Sequence, residues 1–71
     1  MTFGQKIETR RKELGYTQEE LAKRIQTTQP YISRLERGHF KPSFQRIAII
    51  SMALGISVDY LIFDDRKEVN I

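Results

Sequence analysis

Few residues in this chain could do covalent or metal chemistry. There is no cysteine and a single histidine, His39, which excludes disulfides, thiolate zinc sites and histidine-based metal cages. Serine and threonine hydroxyls are plentiful, but no spacing sets a base and an orienting acid beside one of them. Glu19 and Glu20 are adjacent on a helical stretch and point in different directions, so they form no acid/base dyad. No glycine-rich phosphate loop is present. Catalysis is therefore not expected, and neither a cofactor nor a metal is implied. What stands out is a run of amide, hydroxyl and guanidinium side chains in the middle of the chain. Residues 23–46 hold Lys23, Arg24, Arg34, Arg37, Lys41 and Arg46 against Glu36 alone. Residues 47–71 hold Arg66 and Lys67 against Asp59, Asp64, Asp65 and Glu68. A basic middle is the electrostatic footprint of a polyanion partner. It is also what a solvated face looks like, so charge alone leaves both readings open.

The elements that position these groups can be read from the punctuation. Gly15, Gly38 and Gly55 each follow an apolar-periodic stretch, where a left-handed residue closes a helix. Thr2 with Gln5, and Thr17 with Glu20, have capping-box spacing. Thr28, Ser43 and Ser57 are further N-cap candidates, and Pro42 cannot continue a preceding helix. The result is five short helices, at roughly 3–14, 18–25, 29–37, 44–54 and 58–63. No bounded alternation of apolar and polar residues calls for a strand. The expectation is an all-α, compact five-helix domain over residues 1–63, followed by a polar tail over 64–71.

The core expected from helical spacing takes Phe3, Ile7 and Leu14 from the first helix, and Leu21, Ala22 and Ile25 from the second. Ile32 and Leu35 come from the third, Phe44, Ile47, Ala48 and Leu54 from the fourth, and Val58 and Leu61 from the fifth. Hydrophobic residues are 39% and charged residues 30% of the 71, a globular composition. A domain this small buries only about 60% of its unfolded surface, leaving little room for an enzyme cleft. No basic, apolar leader opens the chain, and the nearly apolar stretch 47–58 is too short to span a bilayer. A soluble, cytoplasmic binding module with no membrane partner is expected.

The second and third helices are joined by only Gln26, Thr27 and Thr28, which forces a sharp crossing that the small Ala22 accommodates. Gln18-Glu-Glu-Leu-Ala-Lys-Arg-Ile25 followed by Thr28-Gln-Pro-Tyr-Ile-Ser-Arg-Leu-Glu-Arg-Gly38 resembles the helix-turn-helix of the lambda-repressor-like (Cro/cI, XRE) family. Phe3-Gly-Gln-Lys-Ile7 and Arg10-Arg-Lys-Glu-Leu-Gly-Tyr-Thr-Gln18 are similar to its first helix and turn. Pro42-Ser-Phe44 and Ala53-Leu-Gly-Ile-Ser-Val-Asp-Tyr-Leu61 are similar to its last two helices. The resemblance covers residues 3–63. The chain departs from the family at the tight turn, where Gln26 replaces the usual glycine, at a cost of about 1 kcal/mol if left-handed. It also carries Ile49 and Met52 where polar residues are commoner.

With Ile32 and Leu35 inward, Pro30, Ser33, Arg34 and Arg37 face outward and Gln29 projects from the first turn. The resemblance implies that Gln29, Pro30, Ser33 and Arg34 face base edges of double-stranded DNA, glutamine suiting adenine and arginine guanine. Either could instead reach a phosphate. Pro30 packs on a thymine methyl or stiffens the first turn, with stiffening preferred. The same resemblance makes Gln18 a phosphate grip, with Thr28, Tyr31, Arg37, Lys41 and Ser43 as further phosphate candidates. Tyr31 is equally read as a half-buried packing residue. Arg24 and Arg46 are expected to be solvated. Arg11 and Glu36 are expected, again by resemblance, to form a structural ion pair rather than a DNA contact.

These readings converge on a sequence-specific transcriptional regulator, in the first instance a repressor, acting as a homodimer on a near-palindromic operator. The dimer face is expected on the last two helices, at Ile49, Met52, Ala53, Tyr60 and Phe63, unless a docked tail ending in Val69 and Ile71 covers it. The alternative is an antitoxin-type interaction module with a protein partner that also binds DNA. A single-strand or RNA binder would line its basic groove with stacking aromatics, whereas Phe3 and Phe44 are assigned to the core.

Overall fold

Thr2, Thr17, Thr28, Ser43 and Ser57 each sit in extended backbone and accept a hydrogen bond from the amide three residues on, which starts a helix at every one. In the computed structural model, which describes residues 1–63, the helices are α1 (Phe3–Glu13), α2 (Gln18–Arg24), α3 (Gln29–Glu36), α4 (Phe44–Leu54) and α5 (Val58–Ile62). At Thr2 and Thr17 the glutamine or glutamate three residues later returns a bond to the cap amide, completing both capping boxes. The described residues contain no strand. The fold is all-α, with residues 64–71 lying outside the described residues.

The ends of α1 to α4 follow one pattern. After α1, Tyr16 N–H reaches back to Arg11 C=O and Gly15 N–H to Lys12 C=O; His39 and Gly38 do the same to Arg34 and Leu35 after α3. This Schellman closure needs a left-handed residue. Gly15 and Gly38 supply it at φ 77° each, but after α2 the same bonds turn on Gln26 at φ 57°.

One core unites the five helices: Ile7, Leu21, Ala22, Ile25, Ile32, Leu35, Ile47, Ile50, Leu54 and Leu61 are all buried. Phe3 and Val58 pack partly buried against it. Four expectations fail here, the first at Ala48, which is half-buried and not part of this core. Leu14 is exposed, because α1 ends at Glu13 and Leu14 already belongs to the cap. Phe44 is 68% exposed. The inner stripe of α4 is Ile47, Ile50, Ser51 and Leu54, and Phe44 lies at its edge in the first turn. Taking Phe44 as an anchor misplaces the inner face, and with Ile50 at its centre Ala53 falls on the flank and touches the core. Ala53 is therefore half-buried and not on the face opposite the core.

The inner face of α1 is largely charged. Lys6 is 1% exposed, and its ammonium donates to Tyr60 C=O (2.7 Å) and Phe63 C=O at the end of α5. It also lies 4.6 Å from the Tyr60 ring centroid. Arg10 donates to Leu54 C=O at 2.8 Å. Gly4 brings α1 against the end of α3: a Cβ there would stand 2.3 Å from Glu36 C=O. α1 thereby packs against both α3 and the last two helices.

Candidate nucleic-acid interface

The α2–α3 pair is held by Leu21, Ala22 and Ile25 on one side and Ile32 and Leu35 on the other. Thr27 N–H to Ala22 C=O (2.8 Å) and the left-handed Gln26 make the turn tight. That geometry leaves the outer face of α3 uncovered. Gln29, Pro30, Arg34 and Arg37 are exposed, and Ser33 is half-buried beside them. Pro30 sits in the first turn of α3, where a missing N–H costs no helical bond. Lys41 and Ser43 are exposed in the loop before α4. Thr28 and Ser43 use their oxygens as cap acceptors for Tyr31 N–H and Arg46 N–H, so each still has a hydroxyl proton to donate.

Behind this face lies a hydrogen-bonded chain. Arg11 Nε donates to Glu36 Oε2 at 2.7 Å and a terminal nitrogen to Glu36 Oε1 at 3.2 Å, while another reaches Tyr16 C=O at 2.7 Å. Both side chains are buried, at 8% and 4% exposure. Gln18 Nε2 then donates to Glu36 Oε1 at 3.0 Å, and Gln29 Nε2 donates to Gln18 Oε1 at 2.7 Å. Gln18, Gln29, Ser33, Glu36 and Arg37 line one polar groove with Glu8. The chain of bonds beyond Arg11 and Glu36 is not foreseen by the sequence reading, which treats Gln18 and Gln29 separately.

Other side chains lie where the sequence reading does not put them. Arg46 is not simply solvated: it donates to Ile25 C=O at 2.9 Å and stands 5.4 Å from the Tyr31 ring centroid. This caps the carbonyl end of α2. Arg24, although exposed, lies 4.2 Å from the Tyr16 ring centroid. Tyr31 is half-buried against the core with its ring centroid 5.1 Å from that of Phe40. Lys6 is absent from the sequence reading. Its signal is positional, since Lys6, Arg10 and Arg11 occupy the inward stripe of α1 beside Ile7. The other expected face is on α4 and α5, where Ile49, Met52, Tyr60 and Phe63 are 42%, 82%, 41% and 63% exposed. Among the described residues no helix is long and apolar enough to cross a membrane, and no group of acidic or histidine side chains could hold a metal ion.

A family model described as helix-turn-helix matches residues 7–61. The immunity repressor protein of Bacillus phage phi105 is 34% identical over 65 residues, which are 92% of this chain and 45% of that protein. The c2 repressor of Salmonella phage P22, solved in complex with a synthetic operator, superposes with a TM-score of 0.82 at 34% identity, over 86% of this chain and 92% of that one. SinR, the master regulator for biofilm formation, solved in complex with DNA, gives a TM-score of 0.81 at 36% identity, over 87% of this chain and all of that one. SinR has also been solved in a complex with the protein SinI. The chain spans about half the length of the curated relatives it matches. In its order of helices, its tight α2–α3 turn and its match over residues 7–61, the chain belongs to the helix-turn-helix family of lambda-repressor-like (Cro/cI, XRE-type) regulators.

Proposed function

We propose that this chain is the DNA-binding part of a transcriptional repressor that reads a duplex operator through α3 and does so as a homodimer on a near-palindromic site. The observation that carries the reading is the exposed Gln29, Arg34 and Arg37, with half-buried Ser33 among them, on a helix whose opposite side is anchored in the core. The major groove admits one helix and shows each base pair as a distinct donor and acceptor pattern. In this reading Gln29, Ser33 and Arg34 face base edges, and Pro30 stiffens the turn that presents them. Gln18, Thr28, Arg37, Lys41 and Ser43 reach phosphates. Tyr31, half-buried with its ring tilted at 59° against that of Phe40, supports the loop rather than donating to DNA. Arg11 and Glu36 are structural. The c2 repressor and SinR were both solved on DNA, which supports a duplex partner.

The dimer reading rests on Ile49, Met52, Tyr60 and Phe63, which are exposed apolar side chains among the described residues; the alternative cover, a tail ending in Val69 and Ile71, lies outside them. A second copy turned by a two-fold axis would cover it and place two α3 helices one helical turn apart, about 34 Å. Combining Ile49→Glu with Tyr60→Glu should halve the mass seen by sedimentation and weaken operator binding; a folded double mutant of dimer mass and full affinity contradicts this. A protein partner is the second reading, favoured by the SinR–SinI complex. The DNA role is tested by binding to specific and random duplexes over a range of salt. Gln29→Ala and Arg34→Ala should each lose about 1–3 kcal/mol of discrimination at particular base pairs. Lys41→Ala should weaken every duplex alike and flatten the salt slope. Equal losses on specific and random DNA for Gln29 and Arg34 would make them backbone contacts.

A further inference from the structure

A glutamine amide can face a base edge in two senses, and they read differently. With the oxygen and one N–H outward it complements adenine, which offers the N6 amino donor and the N7 acceptor. With both N–H groups outward it complements guanine, which offers two acceptors, O6 and N7. Nothing in Gln29 itself selects between these. The selection comes from behind it.

We propose that the buried Glu36 sets the base preference of Gln29, an inference that rests on the base-facing reading of α3. The carboxylate of Glu36 accepts and does not donate, and Arg11 holds it in place through contacts of 2.7 and 3.2 Å. Gln18 must therefore turn its NH2 group to Glu36 Oε1, as it does at 3.0 Å. That leaves Gln18 Oε1 facing Gln29, which must answer with its own NH2 group, as it does at 2.7 Å. Gln29 then has its oxygen and one N–H left, the adenine pattern. Gln18 has one N–H left, a donor of the kind a phosphate oxygen accepts. Glu36 is thus a positioning residue, acting on the base through two amides.

Glu36→Gln should reverse the chain. The introduced amide keeps its oxygen toward Arg11 Nε, the shorter of the two Arg11 contacts at 2.7 against 3.2 Å, so its NH2 group takes the place of Oε1. It would then donate to Gln18, which flips and donates to Gln29, which flips in turn and shows two donors. The test uses duplexes that differ only at the base pair identified by Gln29→Ala, with A or G at the position read. Wild type should prefer adenine by about fivefold to a hundredfold. Folded Glu36→Gln should bring the adenine-to-guanine ratio to one or below. Gln18→Ala, which leaves the Arg11–Glu36 bonds intact, frees Gln29 to adopt either sense and should narrow the ratio without reversing it. It also decides the matter if Glu36→Gln does not fold. A purely structural Glu36 would scale both duplexes equally, so an unchanged ratio in Gln18→Ala, or in folded Glu36→Gln, overturns the proposal. A different failure, Gln29→Ala changing no base preference, would remove the base-reading role of α3 and the proposal with it.

Discussion

Replacing Arg11 by methionine should cost the fold far more than it costs DNA contacts. All three guanidinium nitrogens are in use, two on Glu36 and one on Tyr16 C=O. Methionine fills most of the volume but strands a carboxylate that is 4% exposed, with only Gln18 Nε2 left to it. Breaking a buried pair in this way costs roughly 3–5 kcal/mol. In a domain of this size each kcal/mol moves the melting temperature by about 4–8 °C, so a fall of at least about 12 °C is expected. The second half of the prediction separates charge from packing. Adding Glu36→Met removes the stranded carboxylate and should restore more than half of the loss, because two apolar side chains of similar volume can replace a buried ion pair without net cost. Full recovery is not expected, since Tyr16 C=O stays without its donor. Urea and thermal unfolding followed by far-UV circular dichroism measure both steps. A single mutant within about 1 kcal/mol of wild type that no longer binds DNA would refute the structural role of Arg11.

Gly4→Ala should destabilise by about 1–3 kcal/mol, because the new methyl stands 2.3 Å from the carbonyl oxygen of Glu36 and α1 must shift. The better helix propensity of alanine, worth about 1 kcal/mol, should not rescue it in a denaturant melt. Gln26→Gly should raise stability by about 1 kcal/mol in the same assay, since the left-handed φ of 57° costs glycine nothing. Glu20 is held below its ordinary carboxylate value, first by the hydrogen bond from Thr17 N–H, with the Thr17 hydroxyl, Arg24 and Lys23 adding to it against some desolvation. A lowered native pKa means stabilisation that is full above the unfolded-state value and lost as pH falls through the native one. Wild type should therefore lose more stability than Glu20→Gln as pH is lowered through the carboxylate range, and equal slopes in urea midpoint against pH would contradict this.

The elements were legible because their signals are local. A cap threonine or serine and the amide it accepts from are three residues apart, and a glycine lies within two residues of the end of α1, α3 and α4, so the helices can be placed to within a residue. The inner face of α4 was less legible: with Phe44, Ile47, Ile49, Ile50, Met52 and Leu54 all apolar, the pattern carries two overlapping stripes. Only packing against α1 and α5 selects Ile50 over Phe44. Burial of Lys6 looks improbable for its residue type, and it follows from the free carbonyls at the end of α5, which lie far off in sequence. The relay from Glu36 through Gln18 to Gln29 links residues 18 and 11 positions apart. No periodicity encodes such a contact, so it emerges only when α1, α2 and α3 meet. Exposure of Phe44 also removes one of the two aromatics that stood against a single-strand binder, while Phe3 stays packed on the core.

The central claim is that α3 reads base pairs in duplex DNA and that two copies do so together. Selection of bound duplexes from a random pool, with the salt dependence of the winner, tests it most directly. The account predicts a near-palindrome whose half-site centres lie about 34 Å apart, with binding that weakens steeply as salt rises. It also predicts that one conserved position in each half-site loses its preference in Gln29→Ala. A pool that yields no enriched duplex, or one asymmetric site indifferent to Gln29, would contradict it.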